Sequence, residues 1–461
     1  MNGVAKGRSC GYIRRNRAGF TLVEMLIVLL IVGVLAGALL LVAWSGGAVV
    51  VAQPVEVLPV VDRDYGPTLG RLLDGASRTV DLVAYEFLAE SGAVRDLAEK
   101  LGGRSAGQPP GRPPVRVRAF LEGDKKGLGA RNRRTAGLLT GLGATVQPDA
   151  EDCTTHAKVV SVDGEWLLAG STNLSNASVG ANREANILIR SPALGAAFTG
   201  WFEGLLASPG VPVSSRFPVG NVTLLTDGAY FPALEEMLAS ATRQVDIVLY
   251  HLDVNPWRPS PVDDLAARLA ALTPRVRVRV LLERSDRFAP HITAANRRAA
   301  RFLAARGVEV FFDRPDRFTH AKVVVRDGEE VLLGSSNWFR PADDRSHQFN
   351  VRVARPEVAA FFAGWIDRLI DEDGEPWAEL PPGQPSLSPV APAAGSGPPP
   401  PVAGVGASEP AGGRRVPGAD EGPTGEGPGP LRPARDGSPS AVEAGATPVG
   451  PASAAPTGVG E

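Results

Sequence analysis

The chain has 461 residues, room for two domain-sized units, with 48 Lys and Arg against 50 Asp and Glu and a formal net charge of −2. That balance excludes a global basic field of the kind that draws a protein to nucleic acid. Two cysteines exclude a disulfide scaffold, because Cys10 falls in a leader segment and Cys153 is then left alone. Cys153 stands three residues before His156 but reads as a packed thiol rather than a nucleophile.

The first predicted elements are N-terminal. Residues 1–19 are basic, with Lys6, Arg8, Arg14, Arg15 and Arg17. Residues 20–44, FTLVEMLIVLLIVGVLAGALLLVAW, are almost wholly apolar and predict one transmembrane helix of roughly 37 Å. The basic flank stays inside, which puts a single-pass protein in the bacterial cell membrane with its globular part outside the cytoplasm. Glu24 is out of place in this run, since a lone charge there costs about 2.5 kcal/mol or more.

The string RAGFTLVEMLIVLLIVGVLA resembles the type IV prepilin leader. The resemblance implies cleavage after Gly19 by a prepilin peptidase, methylation of the new N-terminal Phe20, and a Glu24 that faces the amine of a neighbouring subunit. An ordinary signal anchor with a stray Glu, or a signal-peptidase cut near Ala52, are the alternatives. Ser-Gly-Gly follows Trp44, so the long pilin helix is not continued and the segment reads as a borrowed anchor.

Residues 54–210 and 217–380 form two copies of one domain. TVDLVAYEFL (79–88) matches QVDIVLYHLD (244–253), and VRVRAFLE (115–122) matches VRVRVLLE (276–283). RRTAGLLTGLGATV (133–146) matches RRAARFLAARGVEV (297–310). The Val-rich runs predict buried strands; the Arg-led segments predict helices that stop at Gly143 and Gly307. Strands alternating with helices imply an α/β fold, two tandem α-β-α sandwiches with their sheets side by side and the repeats meeting at the seam. Residues 381–461 are rich in Pro, Gly and Ala and predict a disordered tail.

Each half closes on a shared string, THAKVVSVDGEWLLAGSTN (155–173) and THAKVVVRDGEEVLLGSSN (319–337). His156 and Lys158, and likewise His320 and Lys322, are two apart and share a face of an extended chain. Asp163-Gly164 and Asp327-Gly328 signal hairpin turns. Beyond the turn come Gly170, Ser171 and Asn173, and Gly334, Ser335 and Asn337, which offer close backbone approach, a hydroxyl and an amide. An imidazole nucleophile or proton carrier among such donors suits a phosphoryl group.

The pattern His-x-Lys-x4-Asp-x6-Gly-Ser-x-Asn, complete in both halves, is similar to the signature of the phospholipase D superfamily. The resemblance implies that both copies form one site. One His attacks phosphorus to give a phosphohistidine, the other protonates the leaving oxygen, and Lys158, Lys322, Asn173, Asn337, Ser171 and Ser335 hold phosphoryl oxygens. It implies neither metal nor cofactor. Asp163 and Asp327 read as turn or ion-pairing residues. Glu184 and Gln348 stand at the same offset behind His156 and His320, where the family often has a Glu that orients the motif His. Glu184 is therefore expected on His156 and Gln348 on His320. A carboxylate stabilises the imidazolium formed on attack, which makes His156 the expected nucleophile and His320 the acid and base; family precedent for the N-terminal motif agrees.

Other candidates weigh less. His251 reads as a core or cleft-wall residue, His347 as a site rim or surface residue, and His291 as a loop residue. Trp166 and Trp338 fit core packing or a cleft lining. The groups Arg131, Arg133, Arg134 and Arg297, Arg298, Arg301 fit solvated helix faces. An anchor beside lipid and a near-neutral globular part favour membrane phospholipid as substrate, with phosphatidylcholine-type hydrolysis to phosphatidate as the expected reaction. A metal-independent endonuclease acting on DNA in uptake or pilus machinery is the alternative, because GSSNW resembles the small nucleases of the superfamily. A non-catalytic pilus-associated surface protein is the reading of another class.

Overall fold

The computed structural model describes residues 54–123, 127–255, 260–286, 289–339 and 345–378. The transmembrane helix expected over 20–44, the leader residues Gly19, Phe20 and Glu24, and the tail expected over 381–461 lie outside the described residues. Among the described residues no helix is long and apolar enough to cross a membrane.

The first half carries strands β1 (Glu56–Val61), β2 (Thr79–Ala84), β3 (Arg116–Leu121), β4 (Thr145–Pro148), β5 (Thr154–Thr155), β6 (Lys158–Val162), β7 (Trp166–Gly170) and β8 (Ala185–Arg190). Its helices are α1 (Tyr65–Gly75), α2 (Gly92–Ser105), α3 (Leu128–Gly141), the short α4 (Asn176–Gly180) and α5 (Pro192–Ala207). The second half has β9 (Ser215–Val219), β10 (Val222–Thr226), β11 (Gln244–Leu249), β12 (Arg277–Leu282), β13 (Glu309–Phe312), β14 (Lys322–Arg326), β15 (Glu330–Gly334), β16 (Ser346–His347), β17 (Phe349–Val353) and β18 (Glu375–Pro376). Its helices are α6 (Tyr230–Ala239), α7 (Pro261–Leu272), α8 (Pro290–Ala304) and α9 (Pro356–Asp373).

The strand order of the first sheet, β1-β8-β7-β6-β2-β3-β4, recurs in the second as β10-β17-β15-β14-β11-β12-β13, flanked by β9 and β18. The Asp-Gly pairs make the hairpins foreseen: β6 pairs antiparallel with β7, and β14 with β15. Gly143 (φ 91°) and Gly307 (φ 87°) lie just past α3 and α8, where a left-handed residue ends a helix.

The sheets do not lie side by side. Successive residues on their central strands serve two different cores. Val159 and Leu167 from one half meet Val323 and Leu333 from the other in a shared core that also holds Phe198 and Trp201 of α5 and Phe362 and Trp365 of α9. Val160 and Leu168 face the outer core under α1, α2 and α3. Val324 and Leu332 face the outer core under α6, α7 and α8. The physical reason is that these strands are apolar on both faces, so each face needs a cover. The inner faces cover each other, and this brings the two motifs to one seam.

Candidate active site

The seam is stitched by backbone. The N–H groups of His156 and Ala157 both donate to the carbonyl of His347, at 2.9 and 2.9 Å. Those of His320 and Ala321 donate to the carbonyl of Arg183, at 2.9 and 3.1 Å. β5 pairs in parallel with β16, so each motif is held by the segment that leads into Glu184 or Gln348 of the other half.

The side chains follow the same crossing, which corrects one expectation. His156 Nδ1 lies 3.2 Å from Oε1 of Gln348, and His320 Nδ1 lies 3.2 Å from Oε2 of Glu184 and 3.1 Å from the carbonyl of Ser171. Glu184 thus serves His320 and Gln348 serves His156, the reverse of the pairing expected from the offset within each half. The cause is the packing of the halves, which puts the strand after each hairpin beside the partner motif. In both rings Nδ1–H faces an acceptor, so the free lone pair is on Nε2.

A second correction concerns the motif serines. Ser171 and Ser335 are fully buried, and their hydroxyls donate to Glu184 Oε2 at 2.6 Å and Gln348 Oε1 at 2.7 Å. They lock the groups that orient the imidazoles and do not face a phosphoryl oxygen.

Lys158 and Lys322 are buried, and each ammonium donates to the carbonyl of its own motif His. Each also lies over a tyrosine, Lys158 4.8 Å from the Tyr85 ring and Lys322 5.1 Å from the Tyr250 ring. The same tyrosines meet the imidazoles edge-on, Tyr85 at 5.1 Å from His156 and Tyr250 at 4.9 Å from His320. Crowded cations in a dry place resist protonation. Burial, then the charge of Lys322, holds Lys158 well below the ordinary lysine range, and burial pushes Lys322 down to about 7. Burial, then Lys158, Lys322 and His320, holds His156 well below the usual imidazole value. Burial and Lys322 also lower His320, against an opposing pull from Glu184. Burial raises Glu184, but His320, Lys322 and Ser171 outweigh it and keep the carboxylate ionised. The site has an excess of positive character that an anion would relieve.

Asn173 Oδ1 and Asn337 Oδ1 are buried without a hydrogen-bond partner, an incomplete set that a ligand would complete. Gly170 is required by close approach, since a Cβ there would sit 2.3 Å from the Ala185 carbonyl oxygen; at Gly334 it would sit 2.4 Å from Asn350 Oδ1. Asp163 (φ 57°) and Asp327 (φ 56°) occupy the hairpin turns and cap the start of β2 and β11 through the N–H groups of residues 77–79 and 242–244. They shape the scaffold and touch neither imidazole.

The lesser candidates divide. His251 stacks on Phe339 at 4.9 Å, and burial pushes it down to about 4. His347 is buried and donates through Nε2 to the Pro209 carbonyl at 2.9 Å, so it is no rim residue. His291 is exposed in the first turn of α8 rather than in a loop. Trp338 is fully buried and donates to the Tyr230 hydroxyl at 2.9 Å, a core role, while Arg190 lies over the Trp166 ring. Arg131 and Arg134 pair with Glu90, Arg297 with Asp286 and Arg298 with Asp253. Cys153 is buried.

Sequence reasoning missed two sets of supports. Asp62 (φ 52°) and Asp227 (φ 51°) adopt the left-handed conformation that disfavours a side chain. Asp62 Oδ1 accepts from the Glu184 N–H at 3.0 Å, and Asp227 Oδ1 from the Gln348 N–H at 2.8 Å. Their signal was a further repeated pair, VVDRDY against LLTDGAY. Beneath the motif threonines lie buried carboxyl pairs. Glu122 and Asp149 both accept from the Thr155 N–H at 2.8 Å, whereas Glu283 accepts from the Thr319 N–H and Asp313 from the Thr319 hydroxyl. Burial raises Asp149 to about 6, Glu283 to about 8 and Asp313 to about 6.

Comparison with known proteins agrees with this architecture. The family model described as "Cardiolipin synthase, PLD-like domain" matches residues 69–206 and again 234–370, and the prokaryotic N-terminal methylation motif matches residues 14–40. Cardiolipin synthase A of Pseudomonas entomophila (strain L48) is 29% identical over 245 residues, 49% of this chain and 48% of that protein. The chain spans about half the length of the curated relatives it matches. Among solved structures, the phosphatidylserine synthase of Haemophilus influenzae Rd KW20 aligns with a TM-score of 0.54 at 12% identity, covering 71% of this chain and 89% of that one. The polyphosphate kinase of Porphyromonas gingivalis aligns with a TM-score of 0.51 at 13% identity, over 70% of this chain and 48% of that one. These two show a shared fold only. With both repeats matched by the family model and both motifs meeting at one seam, the chain belongs to the phospholipase D-like family of the cardiolipin synthase type.

Proposed function

We propose that this protein cleaves the phosphodiester of a membrane phospholipid through a phosphohistidine and passes the phosphatidyl group to an alcohol or to water. The observation that carries the reading is the convergence of two complete His-Lys-Asn sets on one seam, each imidazole held through Nδ1 and with no Nε2 partner among the described residues. The family match and the curated cardiolipin synthase relatives support phospholipid over nucleic acid. They favour transfer over the phosphatidylcholine hydrolysis expected from the sequence. The matched methylation motif supports membrane attachment, with cleavage after Gly19, a methylated Phe20 and a catalytic part outside the cytoplasm as parts of the same reading.

The roles of the two imidazoles follow from their crossed partners. Attack moves positive charge from the acid to the nucleophile. A carboxylate at Nδ1 of the nucleophile stabilises that charge, whereas beside the acid it would hold back the proton. The criterion that pointed to His156 in the sequence now points to His320. His320 Nε2 forms the N–P bond, the P–O bond to the leaving alcohol breaks, and His156 Nε2–H protonates that oxygen. His156 acts as donor in the imidazolium form that the bound phosphate anion favours, and the neutral Gln348 at Nδ1 does not hold back its Nε2 proton as a carboxylate would. His156 then takes the proton of the acceptor alcohol, whose oxygen attacks phosphorus and releases His320. Lys158, Lys322, Asn173 and Asn337 hold the phosphoryl oxygens.

The test uses the full chain in vesicles of phosphatidylglycerol, phosphatidylethanolamine or phosphatidylcholine, and on plasmid DNA, with EDTA throughout. Headgroup release or cardiolipin formation, lost in His156→Ala and His320→Ala, is the expected result. DNA cleavage with every lipid intact would replace this reading by the nuclease.

A further inference from the structure

The two halves differ where the cleft leaves the seam. Each cleft tyrosine is followed by a polar residue, Glu86 after Tyr85 and His251 after Tyr250. In the second half His251 is covered by the stacked ring of Phe339, two residues beyond Asn337. In the first half the position two beyond Asn173 is the small Ser175, and among the described residues no aromatic ring stacks over Glu86. The result is a cavity of about 340 Å³ lined by Glu86, Glu90, Ser91, Arg131, Ser175 and Asn176. Glu90 is engaged by Arg131 at 3.1 Å and by Arg134 at 3.5 Å. Glu86 is half-buried; among the described residues its carboxylate makes no hydrogen bond or ion pair and feels only the longer-range charges of Lys158 and Arg131. A carboxylate that faces a cavity without a hydrogen-bond donor calls for one.

We propose that this cavity is the alcohol subsite, where Glu86 receives a small alcohol bearing a second donor group, a hydroxyl or an ammonium. The proposal rests on the phosphatidyl-transfer reading above. In that reading one histidine both protonates the leaving alcohol and deprotonates the arriving one, so the two alcohols occupy one place. That histidine is His156, whose ring packs against Tyr85, the neighbour of Glu86. The aromatic side formed by His251, Phe339, Tyr250 and Phe318 is left for the apolar part of the phosphatidyl group.

The experiment offers full-length protein in phosphatidylglycerol vesicles equal concentrations of glycerol, ethanolamine and 1-propanol, and measures the ratio of the phosphatidyl products. Wild type is expected to favour glycerol or ethanolamine over 1-propanol. In Glu86→Gln that ratio falls about tenfold, the effect of one charged hydrogen bond. In Ser175→Phe, which copies the second half, it falls similarly. A fall for ethanolamine alone identifies the ammonium as the recognised group, and a fall for glycerol alone the hydroxyl. An unchanged ratio in both variants overturns the subsite. Loss of all turnover in a folded Glu86→Gln also overturns it, because Glu86 would then serve the chemistry rather than selection. Absence of any lipid turnover in wild type defeats the phospholipid reading itself.

Discussion

Glu184 Oε2 lies 3.2 Å from Nδ1 of His320, although the two residues belong to different halves of the chain. The counterpart contact, between Gln348 and His156, has the same length but no charge. The site therefore has near two-fold geometry and one-sided electrostatics.

That asymmetry predicts where the covalent intermediate forms. Peptide mapping of protein quenched during turnover on labelled phospholipid should find the phosphoryl group on His320. Glu184→Gln should lower kcat by about 10²-fold or more, since the cation formed on attack loses its counter-charge. Exchanging the pair, Glu184→Gln with Gln348→Glu, should move the label to His156. A label on His156 in wild type would reverse the assignment.

The crowded cations predict a pH-dependent affinity for anions. Lys322, pushed down to about 7 by burial, is charged below that pH and loses its charge above it. An anion raises that value, so binding takes up protons. Dimethyl phosphate, which stays a monoanion, should bind about tenfold more weakly at pH 8.5 than at pH 6. Calorimetry in buffers of different ionisation enthalpy should register proton uptake, and a flat affinity over this range would refute the charge state assigned here.

Asp62 and Asp227 are expected to act as positioning residues. Asp62→Ala should reduce kcat about 10–100-fold by freeing the backbone of Glu184. It should also destabilise the fold by about 1 kcal/mol, because alanine resists the left-handed φ of 52°. Asp62→Gly removes the same carboxylate without that strain, so its melting temperature should recover relative to Asp62→Ala while kcat stays low. Equal activity of Asp62→Gly and wild type would confine Asp62 to a turn role.

Asp327 should matter for stability and not for chemistry. Burial pushes its pKa up, but the N–H groups of Gln244, Arg243 and Thr242 outweigh this and hold it at about 2. Its folded value lies below the ordinary 3.8, so its contribution is present above that pH and is lost as pH falls towards about 2. Asp327→Ala should cost about 2 kcal/mol at pH 7. The gap from wild type should close in acid unfolding experiments, with KM unchanged throughout.

Much was legible in the linear chain because the repeat is intact. The Val-rich runs, the Asp-Gly turns and the glycines at 143 and 307 obey local rules, and the structure places strands, hairpins and helix ends accordingly. The motif spacing named His156, His320 and both lysines, because residues that share an extended segment share its geometry. Long-range partners were not legible. Equal offsets suggested that Glu184 belonged to His156 and that the motif serines faced phosphate. The burial of Ser171 against Glu184, and the crossing of Glu184 to His320, depend on how the halves pack.

The sequence by itself determined the repeated domain, its strands and turns, and the types of chemical group available, because these follow from local backbone preference and side-chain identity. Only the tertiary structure decided which histidine receives the carboxylate and which groups the motif serines lock. Two sheets apolar on both faces must bury their inner faces against each other. That packing carries the segments at 183–184 and 347–348 across the seam, and so sets the electrostatics of each imidazole.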